Sequence, residues 1–523
     1  MKRFILIAAT LVTLAGCAAP KDAGFSEVSQ VTRDRTGFAT SWTRDAKADR
    51  EVAGYVDTLL REELSVDEAV QVALLSNRRL QATYEQLGIA RGELIHAALP
   101  DNPVASDEIR FFDAGTEHEA AVTQNVMSIL TIPLRRKRER NQFEATVEQV
   151  TDQVLHVVAE TRRSYIENQA AKQLVELFEQ AVVATEGSYM AMQRLREAGN
   201  VKQLDVLRER AFYEEAKVNL NGAQRDLAIA RERLNGVMGL WGSQTTWRTP
   251  SRLPEVPGLA GVDIAEGEDA ALPYPKAMAA DGLPGDLNVG ETAPEYQAER
   301  LAGPPTNEQV ATPGLGYSES DALGSDAAER FARVEQVAVE RNLHLSAQRH
   351  LIEAQAAEMD REVLTAMFPF LNLGVVPTWT EAGEFVFGPA FATPVPIFDF
   401  GQAAYPREAS RLRMLLEDYA AMAVELRAAA RALEAQLQAT QSNAVYRRDV
   451  VLPLRAAVVA EAQLNYNAMT LTSFELIVAK RQQIEAAVAY VHALRDYWTA
   501  RADFEQLLDG GRPPMVTMTG VMK

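Results

Sequence analysis

Gln193–Leu207 reads QRLREAGNVKQLDVL and Gln463–Ile477 reads QLNYNAMTLTSFELI, and the two stretches align without a gap at an offset of 270. Ala198 meets Ala468, Val201 meets Leu471, Leu204 meets Phe474, Asp205 meets Glu475 and Leu207 meets Ile477. The register holds further on, where Arg225-Asp226 meets Arg495-Asp496 and Ala230-Arg231 meets Ala500-Arg501. A conserved spacing of apolar positions and dipeptides over this distance is the mark of an internal repeat. Upstream, Ala73, Asn77 and Leu80 match Ala338, Asn342 and Leu345 at an offset of 265. Each half therefore orders itself as helix, apolar alternating segment, long helix, tight break, helix.

The long helices are read from periodicity. Val147, Val150, Val154 and Val157 step by three or four, as do Leu174, Leu177, Ala181 and Ala184. Helices over 140–198 and 403–467 would run for about 90 and about 100 Å at 1.5 Å per residue, too long for a compact domain. The twelve alanines of 403–440 suit helix propensity and a closely packed coiled-coil wall equally. Pro453 is expected to kink the second long helix or to remove one hydrogen bond.

Strand-like stretches lie between the helices of each half. The first half offers Val104–Phe112 and Glu119–Ile132 around Asp113-Ala114-Gly115-Thr116; the second offers Phe370–Thr380 and Glu384–Pro396 around Glu381-Ala382-Gly383. Phe385, Phe387 and Phe391 with Leu371, Leu373 and Val375 fall on one side of such a pair. Periodicity alone leaves two surface hairpins as an equal reading. Nine to eleven residues is, however, the length of a strand that crosses a bilayer. Four strands cannot close a barrel, since the smallest membrane barrels have about eight, so spanning strands require several chains.

The chain has 523 residues and a net charge of −19, which argues against general nucleic-acid binding. No run of about 18 apolar residues follows the N-terminus, so no helix of the mature chain is expected to cross a membrane. Residues 242–330 read as a Pro/Gly-rich acidic linker or belt. With Trp241 included, the stretch holds ten prolines, eleven glycines, fifteen acids and five basic residues.

Lys2 and Arg3 precede an apolar Phe4–Leu14, and Leu14-Ala15-Gly16-Cys17 follows. This resembles the lipobox of bacterial lipoproteins, which implies a signal peptide over 1–16 and lipidation of Cys17, the only cysteine. Ala18 stands where an inner-membrane retention aspartate would be, so the outer membrane is the expected address. A lone cysteine also leaves no disulfide or cysteine-held cluster.

The second half carries Pro396-Ile397-Phe398-Asp399-Phe400-Gly401-Gln402, Val451-Leu452-Pro453 and Leu507-Leu508-Asp509-Gly510-Gly511. The first half carries Leu64-Ser65-Val66-Asp67-Glu68-Ala69, Asn77, Ala198-Gly199-Asn200 and Gln203-Leu204-Asp205-Val206-Leu207. In this two-copy order the chain resembles a TolC-type outer membrane factor over about 64–241 and 331–511. The resemblance implies a mainly α fold with a small β part and a two-fold repeat. Long coiled-coil helices would form a periplasmic α-barrel, and four strands per chain would give a twelve-stranded β-barrel in a homotrimer. It implies the exit duct of a tripartite efflux or type I secretion system, served by a periplasmic adaptor protein and, through it, an inner-membrane pump. The partners are thus these proteins and outer membrane lipid, with no nucleic acid. The chain departs from the family at Met469, which replaces the usual glycine of the tip turn, and in its longer central insert.

The tips are the expected site of adaptor docking and gating: Gly199, Asn200, Val201, Leu204 and Asp205 in the first copy, Met469, Thr470, Leu471, Phe474 and Glu475 in the second. Asp205 and Glu475 are candidates for lumen-facing charge. The apolar tip residues equally suit stapling of the hairpin to its neighbours. The Arg135–Arg140 cluster reads either as a solvated helix start or as basic side chains that reach lipid headgroups.

No enzyme, cofactor or metal site is expected. His96, His118, His156, His344, His350 and His492 are scattered, and HExxH, GKS/GKT and GxSxG are absent. Met515, Met518 and Met522 of the tail, 512–523, suit a soft ion or no ligand at all. A periplasmic adaptor lipoprotein is the alternative from another class, but it needs only one hairpin and would lack the duplication. Residues 17–63 form the lipidated N-terminal extension.

Overall fold

The structure is a computed structural model and describes residues 22–112, 115–256, 325–366, 368–380, 384–395, 397–398 and 400–512. Cys17, the turns at 113–114 and 381–383, most of the central insert and the C-terminal methionines lie outside the described residues.

In the N-terminal part, α1 (Phe25–Thr36) and α2 (Ala46–Leu59) precede the first copy. That copy comprises α3 (Val66–Ser76), α4 (Arg78–Ala97), β1 (Val104–Phe112), β2 (Gly115–Asn125), the short α5 (Val126–Leu130), α6 (Ile132–Glu197) and α7 (Gln203–Met238). The second copy comprises α8 (Ser325–Arg341), α9 (Leu343–Ala366), β3 (Asn372–Trp379), β4 (Phe385–Ala392), α10 (Ala404–Tyr446), α11 (Leu452–Asn467) and α12 (Ser473–Leu508). The element order of the two copies is the one read from the sequence. At 66 residues α6 is about 100 Å long.

The strands form one antiparallel sheet in the order β1-β2-β3-β4. Directly beneath, the helices repeat that order, with α4 against α6, α6 against α9 and α9 against α10. Further down, α7, α6, α12 and α11 follow the same sequence of neighbours. The chain is thus a four-rod wall under a four-strand sheet. Two rods run nearly unbroken (α6, and α10 with α11), and two are built end to end (α4 on α7, α9 on α12).

The end-to-end junctions explain the Asn77/Asn342 correspondence. Asn77 caps α4 through Oδ1, which accepts from the backbone of Arg79 (2.9 Å) and Leu80 (3.1 Å), while its Nδ2 donates to the Val237 carbonyl of α7 (2.8 Å). Asn342 Oδ1 accepts from Leu345 N (2.9 Å), and Leu343 N donates to the Gly510 carbonyl beyond α12 (2.9 Å). Both arriving helices close on a glycine with positive φ, Gly239 at 72° and Gly510 at 85°. A Cβ on Gly239 would stand 2.6 Å from the Ser76 carbonyl oxygen, and one on Gly510 would overlap that of Arg341. Only glycine lets the two helix ends meet this closely.

Two expectations need correction. β2 starts earlier and stops earlier than the alternation suggested, covering Gly115–Asn125 instead of Glu119–Ile132. The strand ends because Asn125 turns its side chain to cap α5, accepting from Met127 N (3.1 Å). Gly115 and Thr116 pair with β1 and do not belong to the turn. As expected of Pro453, the second long helix is disturbed there: a π segment spans Arg447–Val451, two residues before the proline. The wider turn accommodates the missing N–H and the ring of the proline.

The N-terminal extension is packed into the body. Val28 and Val56 are buried, and Phe25 meets Tyr84 edge-on at 5.0 Å between centroids. Gln81 clamps the segment between α1 and α2, accepting from Thr43 N (2.9 Å) and donating to the Ser41 carbonyl (2.8 Å). Arg35 donates to the carbonyls of Arg341 (2.8 Å) and Asp509 (2.7 Å), fastening α1 over the α9/α12 junction.

Candidate functional site: two helical tips and a two-faced sheet

At the first tip α6 ends in a Schellman turn. Gly199 N donates to the Arg196 carbonyl (2.9 Å) and Asn200 N to that of Leu195 (2.9 Å), with Gly199 at φ 80°. The second tip repeats these bonds after α11, from Met469 N to Tyr466 O (3.0 Å) and from Thr470 N to Asn465 O (3.0 Å). Here a methionine holds the left-handed conformation at φ 59° and is 93% exposed.

The outgoing helices start differently. In the second copy Thr472 and Glu475 form a capping box: Glu475 Oε2 accepts from Thr472 N (2.9 Å) and Oγ1 (2.7 Å), and Thr472 Oγ1 accepts from Glu475 N (3.3 Å). The backbone N–H of Thr472, and then its hydroxyl, hold the Glu475 carboxyl below its ordinary range. In the first copy Lys202 occupies the N-cap with no side-chain bond, and Asp205 instead approaches Arg208 (3.6 Å). Glu475 is therefore engaged by its own helix start, a role that the T-x-x-E spacing signals in the sequence.

Val201 and Leu471 are partly buried, whereas Leu204 (54%) and Phe474 (49%) are largely exposed. The two tips touch: the Arg208 guanidinium lies 4.9 Å from the Phe474 ring centroid. Glu209, one turn from Asp205, is 2% exposed. Burial pushes its carboxyl up, against a hydrogen bond with Ser188 and the charge of Lys480. Burial also raises the Tyr466 hydroxyl, with Glu209 and Asp205 adding to it. A carboxyl from α7, a hydroxyl from α6, an amine from α12 and a phenol from α11 thus gather above the tips, a cluster that no sequence motif announced.

At the opposite end, the strand register sorts the sheet into two faces. Ile109, Phe111, Val122, Leu373, Val375, Trp379, Phe385, Phe387 and Phe391 share one face, together with Asp107 and His118. Ser106, Glu108, Arg110, Glu117, Glu119, Thr123, Asn372 and Thr378 share the other, together with Val104, Val376 and Val386. On that polar face Arg110 binds Glu108 (3.0 Å) and Glu119 (3.1 Å) and approaches Glu117 (4.0 Å). Aromatic rings gather at both ends of the apolar face: Phe111, Trp379 and Phe385 toward the turns, Phe391 with Phe398 and Phe400 toward the helices. All of them are exposed. Apolar-out, polar-in strands bounded by aromatic girdles are the pattern of a membrane barrel segment.

Below the sheet, Glu408 at the head of α10 has a fully buried side chain. Burial pushes its carboxyl up, but hydrogen bonds from Arg407, Gln355 and Arg411 leave it below the ordinary range. The contact from Gln355 (2.8 Å) ties α9 to α10. Among the described residues no group of three or more His, Cys, Asp or Glu is placed to hold a metal ion, and no helix is long and apolar enough to cross a membrane.

Residues 134–240 match the family model described as Outer membrane efflux protein. No curated protein matches the sequence. Among solved structures, CusC is similar at a TM-score of 0.61 and 15% identity, covering 86% of this chain and 92% of that one. A membrane protein of Pseudomonas aeruginosa is similar at 0.60 and 16%, covering 90% and 96%. The CmeC outer membrane channel of Campylobacter jejuni is similar at 0.53 and 13%, covering 91% and 90%. The fold is that of a TolC-type outer membrane factor along nearly the whole chain. An adaptor lipoprotein, with a single hairpin, does not have it.

Proposed function

We propose that three copies of this chain form an outer membrane exit duct, which passes cargo from a periplasmic adaptor and its pump to the exterior. The observation that carries the reading is the sheet. Its apolar face suits lipid and its polar face suits a wet lumen, and its outer strands β1 and β4 each have one neighbour in the chain. Four strands leave two open edges, which are costly in a bilayer unless paired with another copy. Three chains then supply twelve strands, within the range of closed membrane barrels.

In this reading the wall halves 64–241 and 331–511 line the duct, 242–330 serves as a linker or an equatorial belt, and a lipidated Cys17 adds an anchor beside the barrel. The tips meet the adaptor. Leu204, Phe474 and Met469 offer apolar contact there, around turns formed by Gly199-Asn200-Val201 and Met469-Thr470-Leu471. The duct performs no covalent chemistry, and the pump selects the cargo.

Negative-stain imaging of the detergent-extracted protein, with its mass measured in parallel, tests the duct. A three-fold hollow cylinder longer than about 100 Å, as α6 requires, is the expected result. A monomer that stays soluble without detergent would sink the barrel. For the tips, a cysteine at position 204 or 474 should cross-link to an adaptor co-expressed with the protein, whereas one at Lys47, midway along the body, should not.

A further inference from the structure

The head of α6 carries a cluster of basic side chains at the end of the wall next to the sheet. In a chain of net charge −19, residues 135–140 hold five basic side chains and one acid. The structure divides them. Arg135 turns into the wall and donates to the carbonyls of Ser128 (2.6 Å) and Leu99 (3.1 Å). Arg138 pairs with Glu139 (3.1 Å) and reaches Glu358 of α9 (3.7 Å). Arg136 and Lys137 point away from both and are exposed. Neither side chain has a hydrogen bond or ion pair with any described residue. Arg140 shares their face, with one contact to Glu144 (3.2 Å).

The same face carries apolar side chains just above. Ile129 and Leu130 of α5 are 44% and 58% exposed. Thr131 ends α5 and starts α6: its N donates to Met127 O (3.0 Å), and Arg135 N donates to Thr131 O (3.0 Å). Seven residues make about two helical turns and about 10 Å of rise. Arg136 and Lys137 thus follow Ile129 and Leu130 about 10 Å further along the chain. Exposed aliphatic groups followed about 10 Å further on by unpaired cations match the step from acyl chains to phosphates at the edge of a bilayer.

We infer that this face, Ile129-Leu130 above and Arg136-Lys137 below, seats anionic phospholipid headgroups of the leaflet that faces the periplasm. The inference rests on the membrane reading of the sheet. A protein partner is less suited: the cations follow directly on exposed aliphatic groups at the end of the sheet that faces the helices.

The test uses full-length protein in lipid nanodiscs of phosphatidylcholine alone, or with about a third phosphatidylglycerol, where cations near an anionic surface gain attraction. Thermal midpoint and retained phosphatidylglycerol are measured at low and high salt. The wild type should gain several degrees with phosphatidylglycerol and retain it preferentially, the gain shrinking with salt. Arg136→Gln with Lys137→Gln should lose more than half of both effects. Lys47→Gln with Arg50→Gln, an equal charge change on α2, should keep them. No preference in the wild type, an unchanged effect in the rim variant, or an equal loss in the α2 variant would each overturn the inference alone. Failure to enter nanodiscs of either composition would overturn the membrane reading with it.

Discussion

At the first tip the left-handed residue is Gly199, and the next helix starts without a side-chain cap. At the second it is Met469, and the next helix starts in a capping box of Thr472 and Glu475. The backbone hydrogen bonds are the same in both. Each tip thus lacks one local stabiliser and keeps the other. Duplication has held the turn geometry, which the hairpin needs, while the side chains that support it have drifted. The junctions higher in the wall contrast with this. There both copies keep a glycine, because a Cβ would strike a carbonyl of the next helix. Open space tolerates a non-glycine residue in the left-handed region; close packing against the next helix does not.

That contrast is broken most severely at the junctions. Gly510→Ala should destabilise the protein by about 3 kcal/mol, adding a left-handed alanine to an overlap with backbone. Gly239→Ala should cost about 2 kcal/mol for the same reasons with a milder contact. Thermal unfolding in detergent reads both, and equal, negligible losses would mean that the helix ends part easily.

The second junction also carries an acid that the first lacks. Asp509 is pushed up to about 6, chiefly by burial, although Arg162, Arg35 and Arg341 oppose the shift. A carboxyl whose folded pKa exceeds its unfolded value binds more protons in the native state between the two. Stability should therefore rise as pH falls from about 7 toward 4, and Asp509→Asn should add on the order of 2 kcal/mol at pH 7. The variant should show a flatter pH profile, with a remainder from Glu148 and Asp152, which burial also raises. A profile as steep as wild type would remove Asp509 from the account.

The repeat, the rods and the tips were legible in the sequence because helical period and turn residues act locally. β1 was legible to the residue for the same reason. Its partner was not, since Asn125 ends β2 by capping a helix five residues long, too short for periodicity to reveal. Gly510 and Asn342 were marked as motif members, but their meeting depends on two helices more than 160 residues apart in sequence. The burial of α1 and α2 depends likewise on Tyr84, Gln81 and Arg35 finding distant partners. At the tips, the T-x-x-E spacing marks Glu475 as a cap as well as a candidate for lumen charge. The cluster around Glu209 comes from four helices, and no single stretch contains it.

The capping difference is open to exchange. Thr472→Ala should cost about 1 kcal/mol by releasing an N-cap, and Lys202→Ser should return somewhat less at the first tip, where Asp205 stands at the capping-box position. Opposite signs of similar size would show that the two helix starts are interchangeable. No gain from Lys202→Ser would mean that Asp205 is committed to Arg208.

The smallest effect is the most direct test of drift. Met469 pays for a left-handed backbone with no packing in return, since its side chain is 93% exposed. Met469→Gly should therefore stabilise the isolated protein by about 0.5–1 kcal/mol, the steric gain being partly offset by the freer unfolded chain. Gly199→Met should cost a similar amount at an equally open turn, where no atom lies within 4 Å of an added Cβ. If the glycine variant is more stable alone yet binds the adaptor less tightly, the strain is retained for an apolar contact at the tip. If stability rises and binding is unchanged, Met469 is drift that the open turn permits. If stability does not rise, the hydrogen bonds through Thr470 already fix the turn, and the methionine costs nothing.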